Sequence, residues 1–228
     1  MAVICPDFNL LFIMSPRSGC NAVAQVLFEK LGGRFVVDHE IRDADGQFRL
    51  RQRHCTLGEL LDHCAISPAL RDRLTVFSTV RNPFDSLVSL YVKKATRYQT
   101  LLNDPNSWIH GLRGFADDIR YCGSHSFDEW IQKHYSVHPV RRLLGRGRNK
   151  KLCTRYIEGV DVVLRFESLE ESFRDLLNGR ELAGSWRLPH VNSTESRDCD
   201  YRRYYTRKSR RLIEYGLGRE LIRLGYRF

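Results

Sequence analysis

Short apolar runs alternate with stretches of helical spacing along most of the chain. Leu10-Leu11-Phe12-Ile13-Met14 is continuous and apolar, the pattern of a strand buried on both faces. Ser15-Pro16-Arg17-Ser18-Gly19 interrupts it. From Asn21 the apolar positions Val23, Val26, Leu27 and Leu31 return at helical intervals until Gly32-Gly33 ends the series. The chain thus opens with strand, tight loop and helix, and Phe35-Val36-Val37 is a candidate second strand.

The same pattern recurs twice. Leu74 to Val80 reads as a buried strand, and Asn82-Pro83 supplies an N-cap and a first-turn proline. Phe84, Leu87, Val88 and Tyr91 form the apolar face of the helix behind them. Val160 to Phe166 is a third strand of this type, followed by a helix from about Leu169 to Asn178. Alternating strands and helices predict an α/β fold, a three-layer sandwich with a mainly parallel central sheet. Residues 97–158 are less periodic: Phe127, Trp130 and Ile131 mark one amphipathic helix, and the basic, glycine-containing stretch 141–151 reads as an exposed loop. Leu212, Ile213, Leu217 and Leu221 predict helix over Lys208 to Leu224.

With 228 residues, 42% hydrophobic and 28% charged, the chain suits one folded domain spanning 1–228, and it shows no internal repeat. Its 37 basic and 27 acidic residues give a net charge of +10, which favours anionic partners through long-range attraction. Nucleic acid, an acidic membrane surface, a polyanionic glycan and a phosphorylated cofactor all satisfy that charge. The apolar run at 10–14 is far below membrane-spanning length, and no leader is read at the N-terminus, so no membrane span is expected. The seven cysteines are odd in number, scattered and without a CxxC pair. A disulfide framework or zinc site is therefore not expected, and reduced thiols in a cytoplasmic setting are. The histidines form no cluster with cysteines or carboxylates that argues for a metal.

Two segments carry candidate chemistry. Pro16-Arg17-Ser18-Gly19-Cys20-Asn21 lies between a buried strand and a helix, where backbone N–H groups and the helix dipole favour an anion. Gly19 lets the main chain approach a phosphate, and Arg17 adds a positive charge. The Walker pattern GxxxxGK[ST] is absent, which disfavours a nucleotide triphosphatase. The second segment, Val80-Arg81-Asn82-Pro83-Phe84-Asp85-Ser86-Leu87-Val88-Ser89-Leu90-Tyr91, puts Arg81 at the carboxyl end of a strand, where open α/β sheets bind ligands. Asn82, Ser86, Ser89 and Lys93 form a polar stripe on the following helix, and an arginine beside such a stripe suits a phosphate. Taken singly, an ordinary strand–helix turn and a solvated, capped helix face explain the two segments as well.

Together, in order and each on a strand–loop–helix junction, these segments resemble the sulfotransferases that use 3′-phosphoadenosine-5′-phosphosulfate (PAPS), especially carbohydrate-type and bacterial members. Residues 16–20 are similar to their P-[KR]-x-G-[TC] loop, and residues 81–91 to their R-[ND/E]-P-x-[DE]-x-x-V-S-x-Y motif. The resemblance implies that Arg17, Ser18, Gly19, Cys20 and Asn21 bind the 5′-phosphosulfate, and that Arg81 and Ser89 bind the 3′-phosphate. It extends to Leu164-Arg165-Phe166-Glu167-Ser168-Leu169, which is similar to R-[FY]-E-x-L. It also takes in Leu188-Pro189-His190-Val191-Asn192, Tyr201-Arg202-Arg203-Tyr204-Tyr205 and Gly225-Tyr226-Arg227-Phe228. Lysine is commoner than Arg17 in that loop, and Cys20-Asn21 stands where a hydroxyl pair is usual.

The resemblance implies a sheet architecture like that of nucleotide kinases. It also implies in-line transfer of a sulfuryl group from PAPS to a hydroxyl or amine of a glycan or small natural product, and the positive charge leans towards an anionic acceptor. Arg51-Gln52-Arg53-His54-Cys55-Thr56-Leu57 looks like the family's segment bearing a histidine base, and a histidine ordinarily titrates near neutrality. Asp38, His39 and Glu40 are rival bases. A P-loop-like nucleotide kinase is one alternative, although its lysine–hydroxyl signature is missing. A basic nucleic-acid-binding module is another, although no such motif is recognisable, so nucleic acid is not the expected partner.

Overall fold

The computed structural model describes residues 2–42, 48–50, 54–138, 140, 150–179, 182, 186–189 and 200–228. In chain order its elements are β1 (Ala2–Cys5), β2 (Leu10–Ile13), α1 (Cys20–Lys30), β3 (Arg34–Phe35), β4 (Ile41–Arg42), β5 (Phe48–Leu50), α2 (Leu57–Asp62), α3 (Pro68–Arg73) and β6 (Thr75–Val80). There follow α4 (Pro83–Ala95), α5 (Phe115–Ser124), α6 (Phe127–Tyr135), β7 (Val162–Arg165), α7 (Leu169–Asn178), α8 (Arg207–Gly216) and α9 (Gly218–Leu224). Packing divides the chain into two compact units, Met1–Arg81 with Cys153–Ser193 and Asn82–Leu152 with Thr194–Phe228.

The first unit is built on a five-stranded sheet of order β3-β1-β2-β6-β7. β2 pairs in parallel with β6, β6 in parallel with β7, and β1 is antiparallel to both β2 and β3. The sheet is therefore mixed but largely parallel, with β1 as the reversed strand. Because side chains alternate across a strand, β2 sends Leu10 and Phe12 to one face and Leu11 and Ile13 to the other. Leu10, Phe12 and Phe77 join Val23, Val26 and Leu27 of α1 and Phe173 and Leu177 of α7 in one core. Leu11, Ile13 and Val76 join Leu57 and Leu60 of α2 in the second. The unit has the expected three layers, and the rings of Phe12 and Phe77 stack at 4.8 Å between centroids.

Most strand and helix expectations hold within a residue or two. Strand pairing after β1 is shorter than Phe35-Val36-Val37 implied, reaching only Phe35, and the third parallel strand stops at Arg165, with Phe166 opening a 3-10 turn. The reversed strand β1 and the β4–β5 hairpin are additions. The predicted helix over Lys208 to Leu224 is two helices, divided at Leu217.

The second unit, among its described residues, is helical. Phe84, Leu87, Val88 and Val92 of α4 pack with Cys122 of α5, Phe127, Trp130 and Ile131 of α6, and Ile213, Leu217 and Leu221 of α8–α9. Asn82 caps α4: its Oδ1 accepts from Phe84 N at 3.0 Å, and its Nδ2 donates to Tyr201 Oη at 3.1 Å. The unit also buries a charge network. Asp118 of α5 accepts from Lys94 Nζ of α4 at 2.5 Å, from Trp130 Nε1 of α6 at 3.2 Å, and pairs with His134 Nε2 at 2.6 Å. Burial works to raise the Asp118 carboxyl, but hydrogen bonds from His134 and Lys94 and the Lys94 charge outweigh it and hold it well below the carboxylate range. Lys94 in turn lies 4.7 Å from the Phe115 ring centroid. One carboxylate thus ties three helices together.

Removing it strands a buried ammonium, a loss of about 3–5 kcal/mol for a broken buried pair. Asp118→Ala is therefore expected to lower thermal stability sharply. Since the folded-state carboxyl is depressed, its contribution is complete above the ordinary value of 3.8 and fades as pH falls below it. Melting curves from pH 7 down to pH 3 should show the gap between wild type and variant narrowing at the acid end. A constant gap would contradict the assignment.

Candidate active site

The loop after β2 and the start of α1 form the first part of the site. Arg17 has φ 65 and Gly19 φ 78, both in the left-handed region, so the chain turns sharply before entering α1. Gly19 is required for a second reason: a Cβ there would lie 2.6 Å from Leu169 Cδ2 and 3.1 Å from Phe166 Cδ2. The first bonds of α1 run from Ala22 N and Val23 N to the Gly19 carbonyl, at 3.0 and 3.4 Å. The amides of Gly19, Cys20 and Asn21 therefore precede the intrahelical ladder, at the positive end of the helix dipole.

Ser18 is fully buried, and its hydroxyl is used within the protein. It donates to the Ser15 carbonyl at 2.7 Å and shares a 2.5 Å hydrogen bond with Thr79 Oγ1 of β6. Ser18 can meet a ligand through its main-chain N–H, whereas its side chain fastens the loop to the sheet. Cys20 is buried, with its Sγ 4.0 Å from Asn21 Oδ1, and Asn21 is exposed.

Arg81 leaves the carboxyl end of β6 beside that loop. Its Nη1 donates to the Arg17 carbonyl at 3.3 Å, and its guanidinium carbon stands 4.0 Å from the centroid of the Phe166 ring. Two residues taken from separate motifs, 64 positions apart in sequence, thus meet directly. His54 is brought to the same end of the sheet. Its Nδ1 lies 3.0 Å from the carbonyl oxygen of Met14, the residue that follows β2, and its ring makes an edge contact with Tyr156 at 6.5 Å. A carbonyl only accepts, so Nδ1 carries the proton in the neutral ring and Nε2 is the basic nitrogen. His54 has φ 62, in the left-handed region, which histidine enters more readily than most residues other than glycine.

Arg17, Gly19, His54 and Arg81 are therefore gathered in the first unit. The rival bases Asp38, His39 and Glu40 are exposed in the segment between β3 and β4. Ser89 belongs to the second unit, buried within α4. Residues 51–53 next to His54, the basic stretch 141–149, and His190-Val191-Asn192 lie outside the described residues. Sequence reasoning missed Thr79, Phe166 and Tyr156 as supports of the site. Thr79 had a readable signal, since Ser78-Thr79 interrupts an otherwise apolar strand; Ser78 Oγ donates to the Ile13 carbonyl at 2.8 Å. The support given by Phe166 and Tyr156 arises only from tertiary contact.

Two buried hydroxyls, Ser15 Oγ just before the first segment and Ser86 Oγ within the second, have no hydrogen-bond partner among the described residues. Such a group costs about 1–3 kcal/mol unless something satisfies it. Ser15 opens the loop after β2, and Ser86 lies in the first half of α4. Among the described residues, no group of three or more histidine, cysteine or acidic side chains is placed to hold a metal ion, and no helix is long and apolar enough to cross a membrane.

A model of the sulfotransferase family matches residues 1–227 of the chain. No curated protein and no solved structure matches it.

The loop geometry makes Gly19→Ala a sharp test. The new methyl would need a left-handed backbone and would overlap Leu169, a combination expected to cost about 2–4 kcal/mol. At roughly 2–4 °C per kcal/mol for a chain of this size, the melting temperature should drop clearly. An unchanged melting curve would show that the loop does not pack as described.

Proposed function

Because this chain belongs to the sulfotransferase family, whose enzymes take their sulfuryl group from PAPS, we propose that it passes that group in line to a hydroxyl or amine of a glycan or small natural product. The donor set fits PAPS. Backbone amides ahead of the α1 ladder and Arg17 suit the oxygens of a phosphosulfate, Arg81 suits a phosphate, and the unsatisfied Ser15 hydroxyl lies at the head of the same loop. Bound PAPS supplies an activated sulfuryl group and, as leaving group, adenosine 3′,5′-bisphosphate.

The chain's own residues do the rest. Arg17 and the amides of Ser18 to Asn21 hold and stabilise negative charge at the transferring end, where prearranged donors act most strongly. Arg81 holds the 3′-phosphate, and the family motif assigns Ser89 to the same group. His54 accepts the acceptor's proton at Nε2, its Nδ1 being fixed on the Met14 carbonyl. The observation that carries this reading is the Arg81–Arg17 contact at 3.3 Å, which joins the two phosphate motifs at one end of the sheet.

The net charge of +10 supports an anionic acceptor over a neutral one. Both units would serve as one sulfotransferase domain, a reading supported by a single family model covering 1–227. A cytoplasmic setting belongs to the same proposal, supported by seven scattered cysteines without disulfide spacing.

Radiolabelled PAPS offered with acidic glycans, neutral glycans and small hydroxylated or amine-bearing compounds should label a member of one class, and labelling of none would contradict the proposal. With that acceptor, Arg17→Ala should lower kcat by about 10²–10³-fold. His54→Ala should lower it by about 10²–10⁴-fold while binding of adenosine 3′,5′-bisphosphate stays near wild type. The wild-type rate should rise with pH through one ionisation that the His54 variant lacks. An active His54→Ala alongside an inactive Glu40→Gln or His39→Ala would move the base to the segment after β3.

A further inference from the structure

The ring of Phe166 touches parts of both phosphate motifs, yet it has no place in the chemistry above. Its face lies 4.0 Å from the Arg81 guanidinium carbon, while its Cδ2 and Cε2 stand 3.1 and 3.3 Å from where a Cβ on Gly19 would be. The ring is half-buried at the end of β7, in the first turn that follows the strand. It packs partly into the core shared by α1 and α7, which fixes its plane.

We propose that Phe166 is a positioning residue for donor recognition: its ring holds the Arg81 side chain in the orientation that serves the Arg17 carbonyl and the 3′-phosphate together. This inference rests on the reading that Arg81 recognises the 3′-phosphate. An arginine side chain has about 2 kcal/mol of rotamer entropy to lose when it is fixed, and Arg81 stands just beyond the end of its strand. Lying flat on an aromatic face restricts the guanidinium plane in advance. Stacking uses the π surface and none of the five in-plane N–H donors, so those donors stay directed along the plane. One of them already meets the Arg17 carbonyl at 3.3 Å. The same ring lies beside Gly19, filling the space a Cβ there would need, so one rigid body borders both the loop and the guanidinium. A leucine would fill the volume but would present no negative π face to the cation.

The test is calorimetric binding of adenosine 3′,5′-bisphosphate and of adenosine 5′-monophosphate to wild type, Phe166→Leu, Phe166→Tyr, Arg81→Ala and the Phe166→Leu/Arg81→Ala double variant. A stacked cation is worth about 0.5–2 kcal/mol, so Phe166→Leu should weaken the bisphosphate by about 2- to 30-fold. It should leave the monophosphate unchanged, because that ligand lacks the 3′-phosphate. Phe166→Tyr, which keeps the ring, should bind like wild type, and Phe166→Leu should add no further loss in the Arg81→Ala background. Equal losses for both nucleotides, equal losses in the Leu and Tyr variants, or an additive double variant would each overturn the inference. Should Phe166→Leu fail to fold, Phe166→Met is held to the same expectations. The premise fails separately: Arg81→Ala binding the bisphosphate as tightly as wild type would remove the 3′-phosphate reading itself.

Discussion

Parallel pairing sets Leu10 to Ile13 of β2 against Thr75 to Ser78 of β6, so the segments leaving the two strands emerge side by side at one end of the sheet. The arrangement of the site follows from that register. Ser78 Oγ reaches the Ile13 carbonyl, Thr79 reaches Ser18, and Arg81 reaches the Arg17 carbonyl, each contact a step further out from the paired strands. A slip of one residue would send Phe12 and Leu11 to the wrong faces and would also part Thr79 from Ser18. The packing that stabilises the sheet and the placement of the loop after β2 are therefore the same constraint.

The buried polar groups fall into two kinds. Asp118 of α5 is surrounded by donors from two other helices, α4 and α6, and Ser18, Ser78 and Thr79 each have a partner. Ser15 and Ser86 have none among the described residues; Ser15 opens the loop after β2, and Ser86 lies in α4. Ser107 is likewise without a partner and lies outside both motifs, and nothing in the structure explains it.

Much of this was legible in the residues. The run at 10–14 is apolar without alternation because both faces of the central strand β2 are covered, 74–80 is nearly so, and Asn82-Pro83 announces its helix by local chemistry alone. Less was legible where elements are short. β1 is four residues, α2 and α3 six each, and β3 two, too few for periodicity to separate strand from helix. Even so, Thr56 and Glu59, and Ser126 and Glu129, form capping boxes whose spacing was there to be read. Arg17, Gly19 and Arg81 stood out by residue type and position. Phe166 stood out only as part of a family resemblance: its contact with Arg81 depends on β7 lying beside β6, a pairing visible only once the chain has folded.

In the proposed reaction, the loop from Ser15 to Asn21 and the end of β6 together recognise a nucleotide carrying two separate phosphates. A crystal structure of the protein with adenosine 3′,5′-bisphosphate tests it most directly. The 5′-phosphate is expected within hydrogen-bonding distance of Arg17 and the amides of residues 18–21, and the 3′-phosphate on the Arg81 guanidinium. A bisphosphate bound elsewhere, or held with its 3′-phosphate away from Arg81, would contradict it.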